Sequence, residues 1–352
     1  MKPITIVGGG LAGLTLGIGL RRREIPVTLF EAGQYPRHRV CGEFISGRGQ
    51  ETLARLGLRD LLERAGAVSA TTAAFFSETK STPPRPLPSR AICLSRFDLD
   101  HALAREFRRL GGELVEDHRW RKEFSEGIIR TTGRRLQTEE NGPESFRGWF
   151  GLKVHARNVT LTADLEMHVS PRGYVGLCRI NGGAVNVCGL FRRVGVQPSG
   201  CSPNMLKHGL QPLRGQPGSP LNQRLAAATF DDGSFCAVAG LSLQPQRAGT
   251  RGECCLGDAI TMIPPVTGNG MSMAFESAEL AIEPLAAWSR GEISWAGAQQ
   301  HIARQCDATF AGRLAWAKWL QRAMLTPALQ NPLITLAAHS EWFWRTAFER
   351  TR

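Results

Sequence analysis

Hydrophobic spacing changes along the chain, and the changes predict its elements. Ile4-Thr5-Ile6-Val7 is an apolar run closed by glycines, Leu11 to about Arg23 is spaced as a helix, and Val27-Thr28-Leu29-Phe30 is a second apolar run ending on Glu31. These positions predict a buried strand, a tight turn, a helix and a second strand, the opening βαβ unit of a parallel sheet. Leu53, Leu56, Leu58, Leu61 and Leu62 lie near helical spacing. A further helix is predicted from Ser95 to Leu110, with Ser95 or Asp98 as its cap and Gly111-Gly112 as its stop, before a short strand at Glu113-Leu114-Val115.

From residue 148 to about 191 the period falls to two. Leu152, Val154 and Ala156 alternate with Lys153, His155 and Arg157, and Leu165, Met167 and Val169 alternate with Asp164, Glu166 and His168. Antiparallel strands with one apolar face each are predicted, with turns at Ser170-Pro171-Arg172-Gly173 and Asn181-Gly182-Gly183. Basic residues on one strand and acidic residues on the next invite cross-strand pairing, so Lys153 and His155 are expected as solvated partners of Asp164 and Glu166 rather than as catalysts.

Proline and glycine punctuate the rest. Residues 81 to 90 carry four prolines and are expected to be a loop between lobes, because proline removes donors and fixes φ. The Pro/Gly/Ser-rich segment 195 to 220 reads as a long loop or lid. Phe235 to Leu243 is expected to rejoin the sheet, Gly252 to Asp258 to be a strand followed by a turn, and Gly268 to about Arg290 to form a helix.

Composition narrows the class. At 352 residues and 42% hydrophobic the chain can bury a core in two lobes. The apolar start from Ile4 to Leu20 holds six glycines and is followed by Arg21-Arg22-Arg23, the wrong flank for a signal peptide, and no stretch reaches a membrane span. Nine cysteines without a CxxC pair suggest neither a disulfide framework nor a zinc site, so no metal is expected and a cytoplasmic location is, or one peripheral to a membrane. The net charge of +12 is mostly arginine and favours anionic ligands. Because the arginines are scattered without interleaved aromatics, nucleic acid is not an expected partner.

The glycine turn carries the first candidate chemistry. In Gly8-Gly9-Gly10-Leu11-Ala12-Gly13, Gly8 permits the turn, Gly10 lets backbone approach a pyrophosphate at the helix N-terminus, and Gly13 lets helix and strand pack. Glu31, at the tip of the second strand, can accept hydrogen bonds from ribose hydroxyls. A second segment, Gly257-Asp258 through Pro264-Pro265 to Gly268-Asn269-Gly270-Met271, joins a carboxylate, a proline corner and a glycine-rich helix start. It suits the far end of a long cofactor: Asp258 for polyol hydroxyls, the amides around Gly268 to Met271 for a flavin ring edge.

With these motifs and Arg96-Phe97-Asp98-Leu99-Asp100 in order, the chain resembles the FAD-dependent superfamily of geranylgeranyl reductases and aromatic hydroxylases. Arg39-Val40-Cys41-Gly42-Glu43-Phe44 resembles the Cys-Gly-Glu stretch of the geranylgeranyl-reductase-like branch. The resemblance implies an α/β fold: a doubly wound, Rossmann-like FAD lobe with an inserted antiparallel substrate sheet and C-terminal helices. The implied bounds are 1–72, 92–138 and 244–300 for the FAD lobe, 73–91 and 139–243 for the substrate sheet, and 301–352 for a helical cap. It implies FAD held by Gly8, Gly10, Leu11, Ala12, Gly13, Glu31, Arg39, Cys41, Arg96, Asp258, Pro265, Gly268, Gly270 and Met271, with Cys41, Glu43 and Tyr174 as candidate catalytic residues. Cys41 is either a proton donor beside the flavin or simply a small residue at a close approach.

This sequence also departs from the family. Tyr174-Val175-Gly176-Leu177-Cys178-Arg179 replaces the reductases' Tyr-x-Trp-x-Phe-Pro, and Thr131-Thr132-Gly133-Arg134-Arg135 lacks the Asp of the hydroxylases' Asp-Gly segment. The halogenases' Trp-x-Trp-x-Ile-Pro is also missing: Trp342 and Trp344 lie near the C-terminal end without Ile-Pro. The expected activity is hydroxylation, through a flavin hydroperoxide, of a hydrophobic phenolic, polyketide or isoprenoid molecule, which could be anionic or carrier-bound. NADPH, NADH or a separate donor would supply electrons. The alternatives are reduction of a C=C bond by flavin hydride and a flavin-binding sensor without turnover. Phe310, Leu314, Ala317 and Leu320, with Trp342 to Phe348, suit a membrane-surface helix or a cap over the substrate cavity, and the cap is the expectation.

Overall fold

The computed structural model describes residues 1–133, 148–192, 209–241, 243–250 and 252–351. Strand β1 (Ile4–Val7) leads through the glycine turn into helix α1 (Leu11–Arg21) and strand β2 (Val27–Phe30). Next come β3 (Phe44–Ile45), α2 (Arg48–Arg55), α3 (Arg59–Arg64), β4 (Val68–Phe76), β5 (Arg85–Cys93), α4 (Arg96–Arg109), β6 (Glu113–Val115) and β7 (Ile128–Arg130). Four strands follow: β8 (Trp149–Arg157), β9 (Leu165–Ser170), β10 (Gly173–Arg179) and β11 (Val185–Arg192), of which β9 to β11 form a meander. Short helices α5 (Gln211–Arg214) and α6 (Pro220–Arg224) precede β12 (Thr229–Leu241) and β13 (Cys254–Cys255). Four helices close the chain: α7 (Gly270–Ser289), α8 (Trp295–Met324), α9 (Pro327–His339) and α10 (Glu341–Glu349).

Among the described residues these strands form two sheets. A five-stranded parallel sheet has the order β13-β7-β1-β2-β6. Its core strand is buried, and α1 packs on it closely because Gly13 has no side chain: a Cβ there would lie 2.1 Å from the Gly8 carbonyl oxygen. Helix α4 is capped by Ser95, whose hydroxyl accepts the Asp98 N–H at 3.1 Å.

The second sheet, in the order β12-β8-β11-β10-β9-β4-β5-β3, is antiparallel except where β4 meets β9. The mixed α/β fold is therefore the one implied by the sequence, with a Rossmann-like sheet, a curled antiparallel sheet and C-terminal helices.

Three local expectations are corrected. The proline-rich stretch is a loop only up to residue 84, since Arg85–Cys93 is strand β5. The Pro86 carbonyl accepts a hydrogen bond from Trp344 on the side away from β4. In a strand a residue's N and O point the same way, so the missing Pro86 N–H breaks no ladder bond. Pro88 falls in the irregularity between the Ala70–Ala91 and Thr72–Pro86 pairs, where the ladder is already interrupted.

The second correction concerns the segment read as a lid. Gln211–Arg214 and Pro220–Arg224 are short helices, the latter capped by Ser219. Leu213, Leu221 and Leu225 from this region cover an apolar sheet face made by Leu152, Val154, Val175, Leu177 and Val187. Residues 195–208 of the same segment, like Arg134, Arg135 and residue 242, lie outside the described residues.

The third correction follows from the second. With α5 and α6 covering the apolar face, the face carrying Lys153 and His155 turns inward, and both are buried. Strand β8 pairs with β11 and β12, not with β9, so the expected cross-strand ion pairs do not form. Instead Asp164 accepts from the Thr71 and Thr72 amides and hydroxyls, and Glu166 from His168 and Arg224.

Candidate functional site

A cavity of about 1120 Å³ lies between the two sheets. Its wall runs from the glycine turn past Glu31 and Arg39 to Cys41 and Glu43, and on to Asp258, Pro265 and Gly268. Of the residues expected to bind cofactor, Gly8, Gly10, Leu11, Ala12, Glu31, Arg39, Cys41, Arg96, Asp258, Pro265, Gly268, Gly270 and Met271 all line it. Gly13 lies behind the wall, where the helix crosses the turn.

The glycines divide their work by geometry. Gly8 has φ +109°, and a Cβ on it would lie 2.5 Å from the Thr131 carbonyl oxygen. A Cβ on Gly10 would meet no atom within 4 Å and would project into space. This position, at the N-cap of α1, is where a helix exposes unsatisfied amides and its positive dipole end. The open space over Gly10 fits a pyrophosphate, and the row of arginines along the same wall, Arg37, Arg39, Arg96 and Arg130, supplies positive charge.

Glu31 is buried and bound on several sides. Its Oε2 accepts the Gly9 N–H at 2.7 Å, and Arg37 and Arg39 approach its oxygens at 2.5 and 3.4 Å. Arg39 also donates to Asp100 at 3.0 Å, and Arg96 grips Asp100 at 2.7 and 2.8 Å. Burial works against the charge on Arg96, but the Asp100 carboxylate outweighs it and holds the guanidinium firmly protonated.

At the other end, Gly257 has φ +60° and starts a 3-10 turn carrying Asp258. Gly268, in the left-handed region at φ +63°, closes a second such turn at Pro265–Thr267 just before α7 begins at Gly270. The Phe44 ring fills the place a Gly268 side chain would need, 2.0 Å from an ideal Cβ.

Of the candidate catalytic residues, Cys41 and Glu43 lie side by side, and Tyr174 stands on strand β10. Cys41 is partly buried beside Arg96, and burial raises its thiol above the ordinary range. Asn186 on β11 donates to the Cys41 carbonyl at 2.9 Å, tying this segment to the sheet. Tyr174 lies buried on β10 among Val169, Leu190, Met262 and Met324, and burial raises its phenol well above the ordinary value. Leu320, Met324 and Phe348 from the C-terminal helices complete that apolar end.

Glu43 is completely buried at φ +59°, a conformation that costs a non-glycine residue energy. Its carboxylate is held in place. The Arg96 N–H donates to Oε1 at 2.9 Å, Lys153 Nζ lies 3.3 Å from the same oxygen, and His155 Nε2 donates to Oε2 at 2.7 Å. Lys153 Nζ donates in turn to His38 Nδ1 at 3.0 Å. The His38 ring stacks on Phe97 with centroids 4.6 Å apart. Sequence reasoning found Glu43 but missed His38, Lys153 and His155. The available signal was that 153 and 155 share one strand face, but only the covering helices say which way that face points.

Comparison with known proteins agrees with this geometry. Residues 1–170 match the family model described as FAD binding domain, and residues 197–302 match the model described as squalene epoxidase. The first of these models spans just under half of the chain, and the two together support an FAD-dependent oxidoreductase. Among solved structures of similar fold, the flavin-dependent brominase Bmp2 gives a TM-score of 0.75 at 16% identity, covering 99% of this chain and 93% of that one. PqsL of Pseudomonas aeruginosa, solved in complex with 2-aminobenzoylacetate, gives 0.68 at 15% identity over 99% of both chains.

Curated relatives match over shorter stretches. Squalene epoxidase erg1 of Aspergillus fumigatus is 38% identical over 60 residues, 17% of this chain and 12% of that protein. Conditioned medium factor receptor 1 of Dictyostelium discoideum is 25% identical over 126 residues, 32% of this chain and 25% of that protein. The FAD binding domain model over residues 1–170 supports the FAD superfamily but does not single out the geranylgeranyl-reductase-like branch.

Proposed function

We propose that the protein is an FAD-dependent monooxygenase that hydroxylates or epoxidises a hydrophobic small molecule of phenolic, polyketide or isoprenoid type. The observation that carries this reading is one continuous cavity reaching from the open space over Gly10 to an apolar end at Tyr174, Met324 and Phe348. One end suits a pyrophosphate and the other a hydrocarbon body. The squalene epoxidase match over residues 197–302 supports the same substrate class.

FAD bound here would supply electron transfer and oxygen activation. The chain's own residues would do the rest. The α1 N-terminus and Gly10 would receive the pyrophosphate, Glu31 and Asp258 would anchor the cofactor's hydroxyls, and the amides around Gly268 and Gly270 would hold its ring end. The apolar end excludes water and holds the substrate. NADPH, NADH or a separate reduced protein supplies electrons, and the C-terminal helices act as the cap on the substrate side.

The test is to load the purified protein with FAD, reduce it without oxygen, and admit ¹⁸O₂ with a phenolic or isoprenoid substrate. One ¹⁸O atom in the product is expected. Product gaining two hydrogens without oxygen would favour the second reading, reduction of a C=C bond. That reading draws on Cys41, whose burial keeps the thiol protonated beside Glu43 and able to give up a proton. A flavin that no donor reduces would leave only the role of a sensor.

A further inference from the structure

The Glu43 cluster is more than the cavity needs for packing. A lysine ammonium with no exposed surface is costly to bury unless charged and polar groups compensate it. Lys153 is compensated by Glu43 on one side and His38 on the other, which makes an unbroken row of exchangeable protons. Both ends of the row reach the cavity wall at separate places, Glu43 beside Cys41 and half-buried His38 beside Arg37 and Arg39.

His38 suits the outer end. Burial, then the nearby Lys153 and His155, lower its pKa to about 4, so at neutral pH the ring is uncharged. A neutral imidazole can take a proton at one nitrogen while releasing one from the other. The groups facing His38 are Lys153 and His155 on β8, Glu43 on the connecting segment and Asp231 on β12. Those facing Glu43 are Lys153, His155 and the thiols of Cys41, Cys178, Cys188 and Cys236, with Arg96 beside Cys41.

We propose that His38, Lys153 and Glu43 conduct protons between the rim and the inner wall of the cavity, with His155 as a positioning residue that fixes the Glu43 carboxylate. The inference rests on the reading of this cavity as a flavin site. For an inward step, Lys153 passes an N–H proton to Glu43 Oε1, and the resulting carboxylic acid gives a proton to the base formed in the cavity. Once Lys153 is neutral, exchange with water brings His38 to its Nδ1–H tautomer; it returns that proton to Lys153 Nζ and takes one from water at Nε2, which restores the tautomer whose Nδ1 accepts from Lys153. One proton moves from water to the cavity, no electron moves, and the row recovers its charge.

Proton uptake during anaerobic photoreduction of the FAD-loaded protein, followed with a pH-indicator dye, tests the proposal without any substrate. In the wild type, uptake should keep pace with flavin bleaching. Lys153→Met and His38→Phe should slow uptake at least about tenfold while FAD stays bound, and added imidazole should restore the rate in His38→Ala. Uptake at the wild-type rate in both His38 variants would overturn the relay even if Lys153→Met failed to fold. A protein that binds no FAD would refute the functional reading instead. In that case the His38 titration by NMR decides: a wild-type pKa near 4 that rises in Lys153→Met supports the row, and an ordinary value overturns it.

Discussion

His155 Nε2 donates to Glu43 Oε2 at 2.7 Å and so joins the antiparallel sheet to the segment that leads out of the parallel one. The two residues stand 112 positions apart, and both are buried. The Glu43 backbone is held in a strained conformation while its carboxylate is tied to the sheet. His155→Ala should therefore loosen the Cys41 segment as well as remove an imidazole. The expected cost is about 1–3 kcal/mol of stability, and limited proteolysis near residue 42 should become faster. Unchanged unfolding and cleavage would show that the tie carries no load.

Gly10 and Gly13 should fail differently. Gly10→Val places its side chain in open space, so the apoprotein's Tm should stay within a few degrees while FAD affinity falls at least about tenfold. Gly13→Val drives a side chain onto the Gly8 carbonyl and should lower Tm and solubility before any binding is measured. Calorimetry of FAD binding beside thermal unfolding of the apoprotein separates the two. Equal behaviour would refute the division of labour.

Acid should destabilise the sheet in two stages. His38 has its folded pKa lowered from 6.5 to about 4, so the unfolded chain binds the extra proton, and the His38 contribution is lost as pH falls through that window. Burial alone would raise the Glu166 carboxyl, but bonds from His168 and Thr162 outweigh it and bring the pKa from 4.5 down to about 2. Its contribution is present above pH 4.5 and disappears toward pH 2. Urea midpoints measured from pH 7 to pH 3 should fall, and Glu166→Gln should flatten the lower stage.

Helices α7 and α8 are pinned by Glu276 and Arg313, a buried bidentate pair at 2.5 and 2.7 Å. Removing one partner with Glu276→Ala leaves a buried guanidinium uncompensated and should cost about 3–5 kcal/mol. The double variant Glu276→Leu with Arg313→Met should recover most of that loss. If the single variant unfolds like the wild type, the pair is not compensating a buried charge.

The apolar end of the cavity offers a test of substrate placement. Met324→Trp should fill space beside Tyr174 and raise KM for a bulky substrate several-fold while leaving FAD affinity unchanged. A loss of FAD affinity in this variant would show that the cofactor reaches further than Pro265 and Gly268.

Local signals were legible where a residue's role depends on its neighbours in sequence. The turn at Gly8, the cap at Ser95 and the strand at Cys254–Cys255 follow from steric and hydrogen-bonding rules a few residues long. What failed depended on distant partners. The period-two pattern around Lys153 correctly gave a strand with two unlike faces, but alternation alone does not say which face is outside. That was decided by Leu213, Leu221 and Leu225, which cover the apolar face and send the lysine inward. The strand at Pro86 was hidden for a similar reason, since only the position of Trp344 shows that the proline's blank side faces away from the ladder.

The inner face of the antiparallel sheet is chemically graded from strand to strand. Lys153, His155 and Cys188 occupy it near β8 and β11, whereas Met167 and Phe75 occupy it near β9 and β4, under the C-terminal helices. A guest molecule lying across those strands would meet dipoles at one flank and grease at the other. A symmetrical hydrocarbon could enter either way round and give a mixture of products, but an amphiphile has a single favourable heading. Regiochemistry would then be decided by orientation on entry, before any bond is made.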